Sequence, residues 1–234
     1  MNDLLSALEP WPFGELQRRH YGVILADPPW SFANYSPAGW GKSPHRHYAC
    51  MPLADIQALP VVELAAPDCM LVMWATAPML PHALETIAAW GFTYCTMGAW
   101  AKQSATGAKW NMGTGYRLRS AVEPFLLASR GNPKQLARNV RNLVVAPVRE
   151  HSRKPDAMRH ACEALWPGPR VELFAREAAP GWDAWGNELG KFTPDGETPA
   201  SAPPPAAAPA KEVPPSPELM RALQSLMGTE RPGS

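Results

Sequence analysis

Four consecutive residues, Asp27, Pro28, Pro29 and Trp30, stand directly after an uninterrupted apolar run, YGVILA at 21–26. The run has the composition of a buried strand, and open α/β sheets bind ligands just outside the carboxyl ends of such strands. Within four positions the chain therefore offers a carboxylate, a backbone carbonyl and a large aromatic face. Pro29 restricts the backbone of Pro28 and so aims the Pro28 carbonyl rigidly. Two fixed acceptors beside an aromatic plane suit an exocyclic amine on a planar ring. Asp27 and the Pro28 carbonyl would take its two hydrogens, Trp30 would stack on the ring, and the nitrogen lone pair would be left facing an electrophile. Adenine N6 is such an amine, a poor nucleophile because its lone pair is delocalised into the ring. The plainer alternative is that the two prolines only terminate the strand. Four specified residues at background frequencies near 5% meet by chance on the order of once per thousand chains of this length, and the strand pattern before them makes that rarer still.

The elements that must position this motif alternate between strand-like and helix-like. A second apolar run at 69–74 (CMLVMW) precedes Pro78 and a helical pattern through Trp90, which Gly91 closes in the position a C-cap prefers. Further strands are expected at 93–101, 124–128, 143–146 and 171–174. Between the last two, Lys154, Pro155 and Asp156 open a helix to about Leu165, with proline at a tolerated first-turn position. Strand, helix and strand repeated in this way predict an α/β sheet with helices on its faces. The stretch 103–118 differs: it is rich in Gly, Ser and Thr, and it holds or adjoins Lys102, Lys109, Trp110, Tyr116, Arg117 and Arg119. Lys102, Tyr116 and Arg117 are candidate contacts to a nucleic-acid strand, by charge plus stacking. The alternative is a surface excursion without a ligand.

A chain of 234 residues suffices for one domain with a real core. No stretch approaches the roughly 20 uncharged apolar residues of a bilayer span, and no basic residue precedes an apolar run at the N-terminus, so a cytoplasmic protein is expected. The four cysteines lie far apart without a C-x-x-C pair, and the six histidines show no ligand spacing, so no metal is expected. The net charge of +1 conceals an asymmetry. Residues 101–160 carry 12 Lys and Arg against three acids, a local +9 inside a chain that is otherwise −8. A basic middle suits phosphate contact, although a solvated basic face would look the same. From 193 to 217 there are nine prolines in 25 residues, a disordered or polyproline-like linker. Residues 218–234 form a tail in which Leu219, Met220, Leu223, Leu226 and Met227 fall at helical spacing. That piece is too short to be stable alone in water; docking on a partner, docking on the domain itself and remaining untethered are all open, as is a homodimer.

The motifs also occur in an order that resembles the MT-A70 family of adenine-N6 methyltransferases, over about 21–192. After Asp27-Pro28-Pro29-Trp30 come His47-Tyr48 ahead of Met51, Val72-Met73-Trp74, Trp90-Gly91-Phe92, Trp100-Ala101-Lys102 and Gly131-Asn132-Pro133. His151 through Asp156, Glu172 through Arg176, and Gly181-Trp182 with Trp185-Gly186-Asn187-Glu188 complete the series. The resemblance implies a Rossmann-like methyltransferase domain at 1–192, with a single mixed, mostly parallel sheet, helices on both faces and the catalytic motif ahead of the main cofactor motif. It implies S-adenosylmethionine as donor. Asp27, Lys154, Arg176, Gly186, Asn187 and Glu188 would line its site, with Lys154 near the methionine carboxylate and Arg176, Asn187 and Glu188 at the ribose and adenine. Tyr48 would help close over the target base. A glycine-rich G-x-G-x-x-G loop is absent; the corresponding stretch here is Glu172-Leu173-Phe174-Ala175-Arg176. The compact size resembles prokaryotic and phage members, so DNA is the expected polymer, with RNA, or a catalytically silent nucleic-acid-binding subunit, as the alternatives.

Overall fold

The computed structural model describes residues 11–30, 51–115, 117–150 and 153–192. Seven strands form one sheet: β1 (Tyr21–Ala26), β2 (Ala65–Trp74), β3 (Thr93–Gln103), β4 (Val122–Arg130), β5 (Leu143–Pro147), β6 (Arg170–Leu173) and β7 (Asp183–Trp185). Their spatial order is β5-β3-β4-β2-β1-β6-β7. β1 pairs in parallel with both β2 and β6, β6 with β7, and β3 with β5. β4 runs antiparallel to both its neighbours, β2 and β3. Sequence alone predicts six of the seven strands near these bounds. It misses β7, which at three residues is too short to show a pattern. Direction also needs the tertiary structure. No helix separates β3 from β4, so the chain returns antiparallel across the loop, whereas the helix-bearing connections restore the parallel direction.

Alternation along the central strands divides the core in two. Ile24, Leu71 and Met73 face one side and pack with Ile56, Ala83, Ile87 and Trp90. These come from α1 (Leu53–Ala58), α2 (Leu80–Ala89) and the residue that caps α2, Trp90. Val23, Leu25, Val72 and Trp74 face the other side and meet Met158 and Cys162 of α3 (Ala157–Leu165). The centre of the sheet is thus sandwiched between helices, which is why β1 and residues 69–74 of β2 are apolar throughout. Gly91 has a φ of +77° and its N–H bonds the Ala88 carbonyl, so it ends α2 in the left-handed conformation expected of it. Among the described residues no helix is long and apolar enough to cross a membrane.

Trp90 ties the first helical face together. It is fully buried, and its indole N–H donates to the Ile56 carbonyl at 2.8 Å, joining the end of α2 to α1. Truncation leaves both a cavity and an unpaired carbonyl. Trp90→Ala is expected to lower unfolding free energy by about 3–5 kcal/mol, read from the urea midpoint.

Candidate active site

Among the described residues, a set of ionisable side chains converges on one edge of the sheet. Asp27 follows β1, Lys102 lies in the last residues of β3, Arg176 follows β6 and Glu188 follows β7. Lys154 lies between β5 and α3. Glu123 reaches the same edge from the start of β4, because that strand alone runs the other way. The one reversed strand therefore delivers its first residues to the edge where the other six deliver their last.

The Lys154 ammonium is the junction. It lies 3.0 Å from both carboxylate oxygens of Asp27 and 2.8 Å from Glu123. Glu123 in turn takes Lys102 at 2.6 Å. On the other side Arg176 approaches Asp27 at 3.3 Å and pairs with Glu188 at 3.0 Å, and Glu188 also holds Lys191. All of these side chains except Glu188 and Lys191 are at most about a fifth exposed, so the charges are screened weakly and must balance locally. Burial by itself would raise the Glu123 carboxyl, but the Lys154 and Lys102 charges outweigh it and hold it at about 2. Burial would likewise depress Lys154; Asp27 and Glu123 more than reverse this and raise it.

The turn after β1 is fixed by its own bonds. The Trp30 backbone N–H donates to the Pro28 carbonyl at 2.8 Å, and the Met51 N–H reaches the Pro29 carbonyl at 3.4 Å. The Pro28 oxygen keeps a second lone pair for another donor. Trp30 departs from the expected open stacking face: it is 3% exposed, packs in the core and donates its indole N–H to the Trp74 carbonyl at 3.0 Å. Its ring anchors the motif to the end of β2, because an indole of that size gains more from burial than from solvent. Lys154 also differs from expectation, since its charge is already taken by Asp27 and Glu123. Lys102 lies inside the ionic chain on Glu123 and is not a free cation on the loop. Arg117 is exposed on that loop, as expected of a surface contact. Tyr48 and Tyr116 lie outside the described residues, as do the linker 193–217 and the tail 218–234.

The second half of the site is built around a close approach. A Cβ on Gly186 would come within 2.3 Å of the Ala175 carbonyl, so only glycine lets the chain leaving β7 pass beside the end of β6. Phe174, at φ +60°, turns the chain there. That geometry brings Arg176 against Glu188 and leaves Asn187 exposed beside them. Behind the site, Arg159 pairs with Glu172 at 2.7 Å and Glu177 at 2.9 Å, while Arg153 takes Glu177 at 2.6 Å. Arg149 grips Asp156 and donates to the Lys154 carbonyl, fixing the backbone that carries the junction lysine. Sequence reasoning passes over Glu123, Arg149 and Arg159. For Glu123 a signal exists: a lone carboxylate inside the strand VEPFLLA is rarely buried unless paired.

Because the folded pKa of Glu123 is depressed, its contribution to stability is present above about pH 4.5 and lost as pH falls toward about 2. Glu123→Gln should remove that component. The wild-type advantage in urea midpoint at pH 6 is expected to shrink progressively between pH 4.5 and 2, and a constant difference over that range would contradict the pairing.

Comparison with known proteins agrees with this geometry. The MT-A70 family model matches residues 21–188. The type II methyltransferase M.MunI of a Mycoplasma species is 31% identical over 76% of this chain and 81% of its own length. An Arabidopsis thaliana N(6)-adenosine-methyltransferase MT-A70-like protein is 33% identical over 72% of this chain, which spans only 24% of that relative. The human N(6)-adenine-specific methyltransferase METTL4 is 29% identical over 75% of the chain and 39% of its own length. The matched span contains the whole sheet and every residue of the ionic cluster outside Lys191, and the chain belongs to the MT-A70 family of adenine-N6 methyltransferases.

Proposed function

We propose that this chain transfers a methyl group from S-adenosylmethionine to N6 of adenine in a nucleic acid, with DNA favoured over RNA. The observation that carries the reading is the Asp27 carboxylate, oriented between Lys154 and Arg176 next to the Pro28 carbonyl. S-adenosylmethionine supplies the methyl as an electrophile on a sulfonium. The residues present fit it. Glu188 offers a carboxylate suited to two ribose hydroxyls, Asn187 is exposed beside it, and Gly186 provides the close backbone passage that places both.

Asp27 and the Pro28 oxygen take the two amine hydrogens and turn the nitrogen lone pair outward. The Asp27 charge then offsets the positive charge that grows on N6 during transfer. A strong general base is unnecessary, because the methylated ammonium is acidic and loses its proton to Asp27 or water. Lys154 holds Asp27 in place, and Glu123 keeps Lys154 from carrying an uncompensated charge. Tyr48 is assigned to closure over the base. The loop cations, Arg117 among them, are assigned to the phosphate backbone. DNA is favoured because the match takes in most of the compact M.MunI, whereas the adenosine-named Arabidopsis relative is matched over about a quarter of its length.

The test is a methyl-transfer assay with labelled S-adenosylmethionine on matched unmethylated DNA and RNA, read by nucleoside mass spectrometry. N6-methyladenine is expected from DNA, and Asp27→Ala should lower its rate by at least about 10²-fold with the unfolding transition intact. Product from RNA alone would replace the polymer assignment. No product from either, with binding preserved, would make the chain a silent subunit. Arg117→Ala should weaken binding about equally across sequences and reduce the salt slope by about one.

A further inference from the structure

Among the described residues, one face of the sheet is left bare where the helices stop. Direct cross-strand partners share a face, and β3 pairs Tyr94 with Ala128, Met97 with Leu126 and Ala101 with Val122. It also pairs Ala99 with Leu143 and Ala101 with Val145 on β5. Leu126 and Ala128 belong to the core beneath α1 and α2, so all these residues lie on that side. There Tyr94, Met97, Val122, Leu143 and Val145 are each 39–51% exposed. On the opposite side of the same strands Trp100 and Phe125 are buried, with Val144 and Ala146 packed against them. A patch of five large apolar side chains on a sheet face is the surface an amphipathic helix normally covers.

We propose that the C-terminal segment 218–227 of this chain docks on this face as the missing helix. Its Leu219, Met220, Leu223, Leu226 and Met227 recur at the spacing of one helical face. The proline-rich linker 193–217 gives it reach: 25 residues at about 3.1 Å each extend to roughly 78 Å, against a radius of gyration near 16 Å for a domain of this size. Tethering supplies a high local concentration, which offsets the weakness of a short helix on its own.

Other occupants fit less well. The N-terminal stretch 1–10 also contains leucines, but it joins the domain at Trp11, which packs on Phe13, and Phe13 packs on Trp185 of β7. β7 and β5 are the two opposite edges of the sheet, about 29 Å apart at 4.8 Å per strand. Ten residues of helix extend only about 15 Å. A second copy would set like charge against like, because 103–122 and 131–149, which flank the face, carry seven cations and no acid. The docking segment 218–227 is neutral, with Glu218 and Arg221, and the linker 193–217 that would pass beside those cations carries three acids against one base.

A photo-crosslinking amino acid placed at Val145 in the full chain tests this. The expected product has monomer mass, with the crosslink mapped by peptide mass spectrometry to 218–227. Leu223→Asp with Met220→Asp should reduce that product at least tenfold while leaving the unfolding transition of the domain in place. A dimer-mass product that survives tail truncation after residue 215 would overturn the proposal in favour of a second copy. A crosslink to 1–10 or 31–50, or none to the tail, would overturn it as well. Methyl transfer is not the readout, so the outcome stands apart from the catalytic assignment.

Discussion

The Lys154 ammonium sits between two buried carboxylates, and most of the functional edge is arranged around that fact. One cation shared by two carboxylates in a poorly solvated place leaves a surplus of negative charge that must be met elsewhere. Lys102 meets it on the Glu123 side and Arg176 on the Asp27 side. The result is a chain of alternating charge that crosses the sheet edge from β3 to β7. Removing Lys154 leaves its buried neighbours, Asp27 and Glu123, with one ionic partner where they had two, so the site is held jointly and not by any single strong bond.

That arrangement depends on strand direction. A wholly parallel sheet would present only strand ends at this edge, and Glu123, the second residue of β4, would lie at the far side. The reversal of β4 brings a carboxylate next to Lys102 and Lys154 without lengthening any loop.

Behind the charged edge, Arg149, Arg153 and Arg159 fasten the start of α3 to the end of β6 through Asp156, Glu172 and Glu177. This second network matters because Lys154 lies on the irregular stretch just before α3, where no ladder of backbone bonds would otherwise fix it. The grip of Arg149 on the Lys154 carbonyl turns a loop position into a defined one. On the proposed reading, preorganisation of this kind would let the Asp27 carboxylate act without reorganising during transfer.

Much of the protein was legible in the residues themselves. Continuous apolar runs marked the strands because both faces of the sheet's centre are buried, the proline after Lys154 and the glycine at 91 marked helix ends, and Asp27-Pro28-Pro29-Trp30 marked where β1 stops. These are properties of a residue and its near neighbours. The role of Glu123, the capture of Lys154 by two acids, the burial of Trp30 against Trp74 and the direction of β4 were not legible, since each joins positions dozens of residues apart. Charge at 101–160 could be counted in the sequence, but whether Lys102 faced a nucleic acid or an acid within the fold could not. Only tertiary packing decides that, because a lysine takes whichever carboxylate the fold places within reach of its ammonium.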